Sequence, residues 1–300
     1  MRISSLMVRS LALLVLVAGI ISFPFGVSPL AAEVVCDEPV VASPEATPSA
    51  EPAIPEAGFP GDGGSLTVYA AASLIDAFAE MEARLEEAHP GLDIVIETAG
   101  SQTLVTQIDQ GAPADVLATA NASTMDQAID LGLVEGDPLP FAGNRLVIVA
   151  PADNPAGVKS LVDLGGDDVV LVLANEDVPV GNYSRIAICD AVADGSVPDG
   201  FADAVNTNLV SEEVDVRSVL TKVQLGEADA GIVYASDAAA SAIAGEELTI
   251  VEFPDTVPTS AEYPIAPVAG GNTELANAFV AYVMSDEGQA ILEEYGFTAP

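Results

Sequence analysis

The chain has 300 residues, half of them hydrophobic, and its 46 Asp and Glu against 8 Lys and Arg give a formal net charge of −38. This length and apolar content are enough for a hydrophobic core and two lobes of ordinary domain size, which argues against a disordered chain. The charge argues against a nucleic-acid-binding surface, because neutralising phosphates requires Lys and Arg. We interpret the acidity as a means of solubility, with an acidic interaction surface as the alternative.

The N-terminus has the pattern of an export signal. Arg2 and Arg9 precede an uncharged stretch over residues 10–32, whose most apolar part is LALLVLVAGII and whose end carries small residues suited to cleavage. The alternative is an uncleaved membrane anchor, because the stretch approaches spanning length, although two prolines interrupt it. In either case residues 1–32 predict that the rest of the protein lies outside the cytoplasm.

Residues 33–64 form a predicted linker, rich in Pro, Ala and Glu and without apolar periodicity. Cys36 lies near its start and offers a possible lipid attachment, although the residues before it are not the small ones usual at such a site. We interpret Cys189, in the predicted helix IAICDAV, as a small buried hydrophobic residue and not a reactive thiol. Two cysteines do not make a disulfide framework.

Strands and amphipathic helices alternate from Ser65 onward. SLTVYAA predicts a strand, and the next segment carries Leu74, Phe78, Met81 and Leu85 on one helical face. Further strands are predicted at DIVIE, ADVLATA, RLVIVAP, DVVLVLA and AGIVYA, with helices near 104–108, 123–131, 182, 216 and 237. This order indicates an α/β fold of parallel sheets with helices on both faces. The length favours two lobes with a cleft between them.

Two serines lie at junctions suited to anion binding. Ser73 and Ser101 each follow the carboxyl end of a predicted strand and precede a helix, whose first backbone N–H groups lack intrahelical partners. Helix capping alone would also explain both serines, and Asp76 completes a capping box for the first. Three further candidates follow in the second half of the chain. They are the bend DVPVGNY at 177–183, the helix start at Val216 and Arg217, and Tyr234 at the end of a strand, where a core role is the alternative.

Eight motifs in the same order resemble the family of periplasmic molybdate-binding proteins, over Ser65 to the C-terminus. These motifs are VYAAASL, GSQTLVTQIDQGAPADVLATA, GNRLVIVAP, EDVPVGNY, EVDVRSVL, GEADAGIVYASDA, EYPIAPV and YGFT. The resemblance implies a two-lobed periplasmic-binding-protein fold of type II, whose chain crosses between lobes near Asn144 and returns near Glu262. Lobe I would comprise residues 65–146 plus 263–300, and lobe II residues 147–262.

The resemblance also implies a set of ligand-binding residues. Ser73 and Ser101 would donate from one lobe, and the backbone N–H groups of Val180 and Val216 and the hydroxyl of Tyr234 from the other. Two departures concern this set. Many relatives have Ala where Val180 stands, and commonly a second Ser at the position of Gln102.

The expected function is therefore that of the extracytoplasmic binding protein of an ABC importer. It would be a monomer that captures molybdate or tungstate and docks on a membrane permease. All expected ligands are hydrogen-bond donors, which suits an anion without protons, and molybdenum would enter only as the oxyanion, with no direct metal ligand and no cofactor. Arg217 and Lys222 are expected to be exposed or paired with acids.

Three alternatives remain open from the sequence. The first is a binding protein for sulfate, phosphate or a small organic anion on the same fold, and the second is a surface adhesin without a pocket. The third is a hydrolase or transferase on the same fold. A Ser-His-Asp or Cys-His arrangement would have to use the single histidine, His89, which is expected to lie exposed at a helix end. No His and Cys cluster suggests a catalytic metal, and no GxxxxGK phosphate loop is present.

Overall fold

A computed structural model describes residues 33–36, 53–55 and 57–300 of the chain. The predicted export signal at 1–32 lies outside the described residues, as do residues 37–52 and 56 of the predicted linker. Each helix in the described part of the chain is too short or too polar to cross a membrane.

The elements follow one another from Gly64 to the C-terminus. The strands are β1 (Gly64–Ala71), β2 (Leu92–Ala99), β3 (Val116–Ala118), β4 (Leu139–Pro151), β5 (Leu171–Ala174), β6 (Leu209–Glu213), β7 (Ala230–Tyr234), β8 (Leu248–Val251) and β9 (Ser260–Pro267). The helices are α1 (Ile75–Ala88), α2 (Ser101–Asp109), α3 (Ala122–Asp130), α4 (Pro179–Asp194), α5 (Phe201–Asn208), α6 (Val216–Gln224), α7 (Ala235–Ile243), α8 (Thr273–Val283) and α9 (Asp286–Glu294). Short 3₁₀ turns occupy Ala72–Leu74 and Leu161–Gly165.

The first strand and helix form where the sequence predicts them, for the predicted reason. Leu66 and Val68 of β1 are fully buried in the core. Phe78, Met81 and Leu85 bury one face of α1 against the same core. Because their spacing follows the helical repeat, burying them also fixes the direction in which α1 leaves the strand.

The strands run in the order β2-β1-β3-β9-β4-β7-β5-β6, with β8 paired to β4. The outer pairs β1 with β2 and β5 with β6 are parallel, as predicted. The central pairs are antiparallel, namely β3 with β9 and β4 with β9, β7 and β8. The expectation of purely parallel sheets is therefore wrong, because β4 and β9 carry the chain in opposite directions through the middle of the molecule.

β4 belongs to both halves of the two-lobed fold. Its residues 139–145 pair with β9, whereas its residues 146–151 pair with β7 and β8. We call β1, β2, β3, β9 and the first part of β4 the first lobe, and β5 to β8 with the second part of β4 the second lobe. Asn144 pairs with Ala261 where the two lobes meet, close to the predicted crossings. The bounds predicted for each lobe stay a prediction.

The two cysteines form a disulfide, which corrects the expectation for Cys189 and argues against the alternative of a lipid on Cys36. Cys36 and Cys189 are bonded, with their Cα atoms 5.2 Å apart, so Cys189 is not a free buried thiol. A sulfur in a disulfide cannot also carry a lipid thioether, so this structure is incompatible with lipidation at Cys36. Such bonds persist in oxidising compartments, in agreement with the expected location outside the cytoplasm.

The start of the predicted linker is docked on the second lobe. Val34 is buried, its N–H donates to Asn206 Oδ1 over 2.7 Å, and its carbonyl accepts from Asn206 Nδ2 over 3.1 Å. The linker also touches the first lobe, where the ring of Phe59 packs on that of His89 with centroids 5.0 Å apart. His89 is thus half-buried at the end of α1, and the expectation of a solvent-exposed histidine is wrong. The sequence of 33–64 did not indicate these contacts, because each depends on a partner distant in the chain.

Candidate anion-binding site

All five predicted ligand residues line one small cleft, of about 200 Å³ including its opening to solvent. The cleft is lined by Ala71, Ala72, Ser73, Ala99, Gly100, Ser101, Ala120, Val178, Pro179, Val180, Val216 and Tyr234. Ser73 and Ser101 come from the first lobe and the other three predicted residues from the second. The structure thus brings the predicted set together, and the role of each as a ligand stays a prediction.

Ser73 lies in the 3₁₀ turn that joins β1 to α1 and is 4% exposed. It caps no helix, because α1 begins after Leu74 without a side-chain cap, and Asp76 pairs with Arg217. The capping-box alternative is therefore wrong. The Ser73 Oγ instead lies 2.9 Å from the hydroxyl of Tyr263. The serine is thus held at the carboxyl end of β1 by a bond from behind the cleft.

Ser101 is the first residue of α2, and its backbone N–H is one of the first-turn groups that no intrahelical carbonyl can satisfy. Its hydroxyl oxygen accepts from the backbone N–H of Ala120 over 3.1 Å, so it also caps no helix. Gly100 precedes it as the N-cap, and a Cβ there would lie 2.7 Å from the carbonyl oxygen of Val214 in the second lobe. The two lobes therefore approach closely at this point.

The second lobe presents two helix starts to the cleft. Pro179 opens α4 and fits there because it has no N–H to satisfy, so the first free donor of this helix is Val180. The next position requires glycine, because a Cβ on Gly181 would lie 2.0 Å from the Asn175 carbonyl oxygen. Val216 opens α6 after Asp215, whose carboxylate accepts from Ser218 N–H over 2.8 Å. The backbone N–H groups of Val180 and Val216 thus have no intrahelical partner.

Tyr234 ends β7 and is 1% exposed. Its hydroxyl lies near that of Tyr263 but makes no hydrogen bond of good geometry with a described residue. Burial raises the pKa of Tyr234 well above its ordinary value, with the nearby hydroxyl of Tyr263 adding to the effect. A buried hydroxyl without a partner is destabilising. The Tyr234 hydroxyl lies at the cleft, and its role as a ligand stays a prediction.

The two cations of α6, Arg217 and Lys222, do not line the cleft. Arg217 forms ion pairs with Asp76 of α1 and with Asp237 of α7, the latter with Nε and Oδ1 3.4 Å apart. Asp237 is fully buried, and burial raises its pKa to about 6 against the opposing effect of Arg217. Lys222 pairs with Glu213 on the surface of the second lobe. Both cations are therefore paired with acids, as expected.

The remaining sequence candidates lie elsewhere. Gln102 lines a neighbouring polar groove and not the cleft, so the loss of the second serine found in relatives leaves the five-residue set intact. Neither His89 nor Cys189 lines the cleft, and Cys189 is bonded to Cys36, so the two cannot form a nucleophile and base pair there. The described residues contain no cluster of His, Cys, Asp and Glu able to hold a metal ion.

Comparisons with known proteins agree with this architecture. A family model described as bacterial extracellular solute-binding protein matches residues 66–298. The molybdate-binding protein ModA of Mycobacterium tuberculosis is 37% identical over 262 residues, covering 87% of this chain and 93% of that protein.

Solved structures extend the comparison. The substrate-binding domain of a putative molybdenum ABC transporter from Clostridium difficile has a TM-score of 0.57 at 27% identity, covering 79% of this chain and 99% of that one. The sulfate-binding protein SubI from Mycobacterium tuberculosis, at 20% identity and a TM-score of 0.66, covers 78% of this chain and 86% of its own, and shares the fold.

Proposed function

The chain belongs to the bacterial extracellular solute-binding proteins, and within them to the molybdate-binding proteins called ModA, and from this premise we propose that it captures molybdate or tungstate. It is the substrate-binding protein of an ABC transporter, and proteins of this class bind solutes without converting them. We expect it to act as a monomer that presents the closed, loaded form to a membrane permease. No resident cofactor is needed, because the molybdenum arrives within the oxyanion.

The observation that carries this proposal is the Tyr234 hydroxyl, buried at the cleft without a partner among the described residues. Around it, the lining residues include two serines and first-turn residues of three helices, whose backbone N–H groups lack intrahelical partners. These groups can supply donors, and the described residues that line the cleft include no Asp or Glu. Molybdate, tungstate and sulfate have no proton near neutral pH, so a cleft of donors matches them, whereas hydrogen phosphate needs an acceptor for its proton.

The dianion would be stabilised by dipoles and not by a paired cation. Each hydrogen bond to a charged group contributes about 1.5–3 kcal/mol, so five or more support about micromolar or tighter binding after the cost of association. Three of the donors lie at helix N-termini, where the backbone dipoles add positive potential. The small cleft suits an ion and not a larger organic solute.

Lobe closure completes this mechanism. The donors come from both lobes, so only the closed state offers the full set, and the ligand shifts the population toward that state. Arg217 of the second lobe pairs with Asp76 of the first and donates through Nε to the Ala72 carbonyl oxygen over 3.4 Å, which supports a closed arrangement. The close approach of Gly100 to Val214 supports it as well.

Isothermal titration of the full exported chain with molybdate, tungstate, sulfate and phosphate tests the proposal. We expect one-to-one binding of molybdate and tungstate, with sulfate much weaker because its bonds to oxygen are shorter and the cleft cannot contact all four oxygens. Tight binding of sulfate or phosphate alone would retain the family and overturn the ligand. Absence of binding to all four anions would overturn the whole proposal.

A further inference from the structure

Two buried polar side chains lie behind the cleft, where the chain crosses between the lobes. Asn144 is on β4 and Tyr263 on β9, with 5% and 0% of their surfaces exposed. Neither lines the cleft. Tyr263 nevertheless acts on it through one contact, because its Oη lies 2.9 Å from Ser73 Oγ.

The orientation of the Asn144 amide follows from the neighbouring backbone. Arg145 N–H lies 2.9 Å from Asn144 Oδ1, and because a backbone N–H can only donate, the atom facing it must be the amide oxygen. The amide nitrogen therefore points the other way. It donates to Tyr263 Oη over 3.3 Å and to Ser236 Oγ over 2.8 Å.

This orientation gives the chain of hydrogen bonds a direction. Tyr263 Oη accepts from Asn144, and of the two hydroxyls beside it only that of Ser73, 2.9 Å away, has hydrogen-bond geometry, which favours Ser73 Oγ as the acceptor of its single proton. With the oxygen of Ser73 accepting that proton, the proton of Ser73 is left to point into the cleft. The reverse arrangement, with Ser73 donating to Tyr263, would turn the serine lone pairs toward a bound anion and repel it.

Ser101 has the same arrangement with no ambiguity. Its Oγ accepts from the backbone N–H of Ala120, which cannot act as an acceptor through that group. The proton of Ser101 is therefore also left for the cleft. Both serines that line the cleft thus have an oxygen occupied from behind, Ser101 by the backbone and Ser73 by Tyr263.

We infer that Tyr263, oriented by Asn144, is a positioning residue that fixes Ser73 as a hydrogen-bond donor and thereby sets the preference for anions without protons. This inference rests on the proposed function, since it assigns a ligand contact to Ser73. A free serine hydroxyl can donate or accept. Ser73 held in the donor direction satisfies molybdate, whereas hydrogen arsenate, which carries a proton near neutral pH, meets no acceptor there. A chain of aligned hydrogen bonds also strengthens its last member, the bond to the anion.

Titration of Tyr263→Phe with molybdate and with arsenate tests this inference. Without the phenol proton, Ser73 becomes free to accept. We expect molybdate affinity to fall about five- to tenfold and arsenate affinity to stay or rise, so that the ratio of the two falls by at least about fivefold. Tyr69→Phe is the matched control, because Tyr69 is another buried tyrosine of the first lobe that does not line the cleft. Its ratio should equal that of the wild type.

A double-mutant cycle with Ser73→Ala separates this role from a general effect on packing. If Tyr263 acts through Ser73, Tyr263→Phe should change molybdate affinity by less than about twofold when Ser73 is already Ala. If Tyr263→Phe does not fold in a thermal melt, Asn144→Asp replaces it, because the carboxylate still accepts from Arg145 N–H but draws the phenol proton away from Ser73. The same fall in the ratio is expected.

The outcomes distinguish the inference from the proposed function. Equal weakening of both anions by Tyr263→Phe, or a full effect in the Ser73→Ala background, would overturn the inference alone. A wild-type protein that does not bind molybdate would overturn the proposed function first. A fallen ratio with a non-additive cycle supports both.

Discussion

The Tyr234 hydroxyl is a group whose removal separates a binding role from a structural role. Tyr234→Phe deletes one donor to the anion, and we expect molybdate affinity to fall about 10- to 100-fold. The hydroxyl has no protein partner among the described residues, so the ligand-free variant should melt at the same temperature as the wild type or higher. Titration and a thermal melt of the same preparation measure both quantities.

The opposite result has a clear meaning. If Tyr234→Phe lowers the melting temperature and leaves molybdate affinity unchanged, the hydroxyl is a structural group and the ligand does not contact it. Tyr69→Phe is again the comparison for the loss of a buried phenol outside the cleft.

Individual residues also explain how far the sequence predicts the site. Ser73 and Ser101 follow strands directly and precede helices, so the local pattern alone marks them as candidates. Tyr263 stands 190 positions after Ser73, and no local pattern relates the two. The only signal is in the motif EYPIAPV, where a tyrosine directly precedes the apolar run PIAPV. Its contact with Ser73 depends on β9 pairing between β3 and β4, which only the fold determines.

At the scale of elements, α6 carries both a candidate ligand and the ion pair between lobes. Arg217 is 24% exposed and Asp76 42% exposed, so solvent screening limits the contribution of their pair to about 0.5–1 kcal/mol. We expect Arg217→Gln to weaken molybdate binding about two- to fivefold, because the closed state loses a contact that the open state lacks. Titration gives the affinity, and small-angle X-ray scattering of the ligand-free variant should report a larger radius of gyration.

Lys222→Gln is the matched control on the same helix. Lys222 pairs with Glu213 and Ser211, all within the second lobe, so its loss should leave closure and affinity unchanged. Equal effects of both substitutions would mean that α6 responds to any lost cation. An Arg217→Gln variant that loses binding by more than about 100-fold would instead indicate a direct contact with the anion.

Elements also differ in how well the sequence predicts them. RLVIVAP predicts a strand of seven residues, whereas β4 has 13. The sequence did not indicate its first part, because Pro140 and Gly143 are poor strand formers. Gly143 is tolerated there since it exchanges backbone hydrogen bonds with Thr298 near the C-terminus, and a Cβ would crowd that residue. Pairing with a distant partner thus overrides local propensity. The same reason hides β6, in which Leu209 is buried, Val210 is exposed and the other three residues are partly exposed and polar.

At the scale of the whole molecule, the Cys36–Cys189 bond joins two positions 153 residues apart. Replacing both cysteines by serine should destabilise the protein by about 2–4 kcal/mol, because a long loop in the unfolded chain is no longer closed. For a protein of this size the melting temperature should fall by about 5–15 °C. Molybdate affinity should change little, since Cys189 lies nine residues after Val180, about 13 Å along α4.

The intact mass of the exported protein provides the companion measurement. A mass two hydrogens below that of the reduced chain, with no added lipid, is expected. Lipid on Cys36 would show that the disulfide does not form in the cell. Unchanged stability of the double serine variant would show that the docked segment at Val34 is held without the bond.

The net charge of −38 affects the rate at which an anionic ligand approaches the protein. The cleft itself carries no charged lining residue, so the binding contacts are short-range dipoles that salt screens weakly. The surrounding carboxylates repel a dianion over longer distances, and salt screens this repulsion. We therefore expect molybdate to associate about three- to tenfold faster, and to bind correspondingly tighter, when ionic strength rises from ~10 mM to ~150 mM.

This direction is opposite to that of an anion site built on cations, in which salt weakens binding. The measurement is a titration series in a salt whose own anion is first shown not to bind. Tyr234→Phe should shift the whole series to weaker binding without changing its slope, because it removes a dipole and no charge. Arg217→Gln should steepen the slope slightly, since one positive charge near the cleft is lost. Binding that weakens with salt would instead indicate that a cation contacts the anion directly. Arg217 would be the first candidate among the described residues, and the site would be ionic and not built on dipoles.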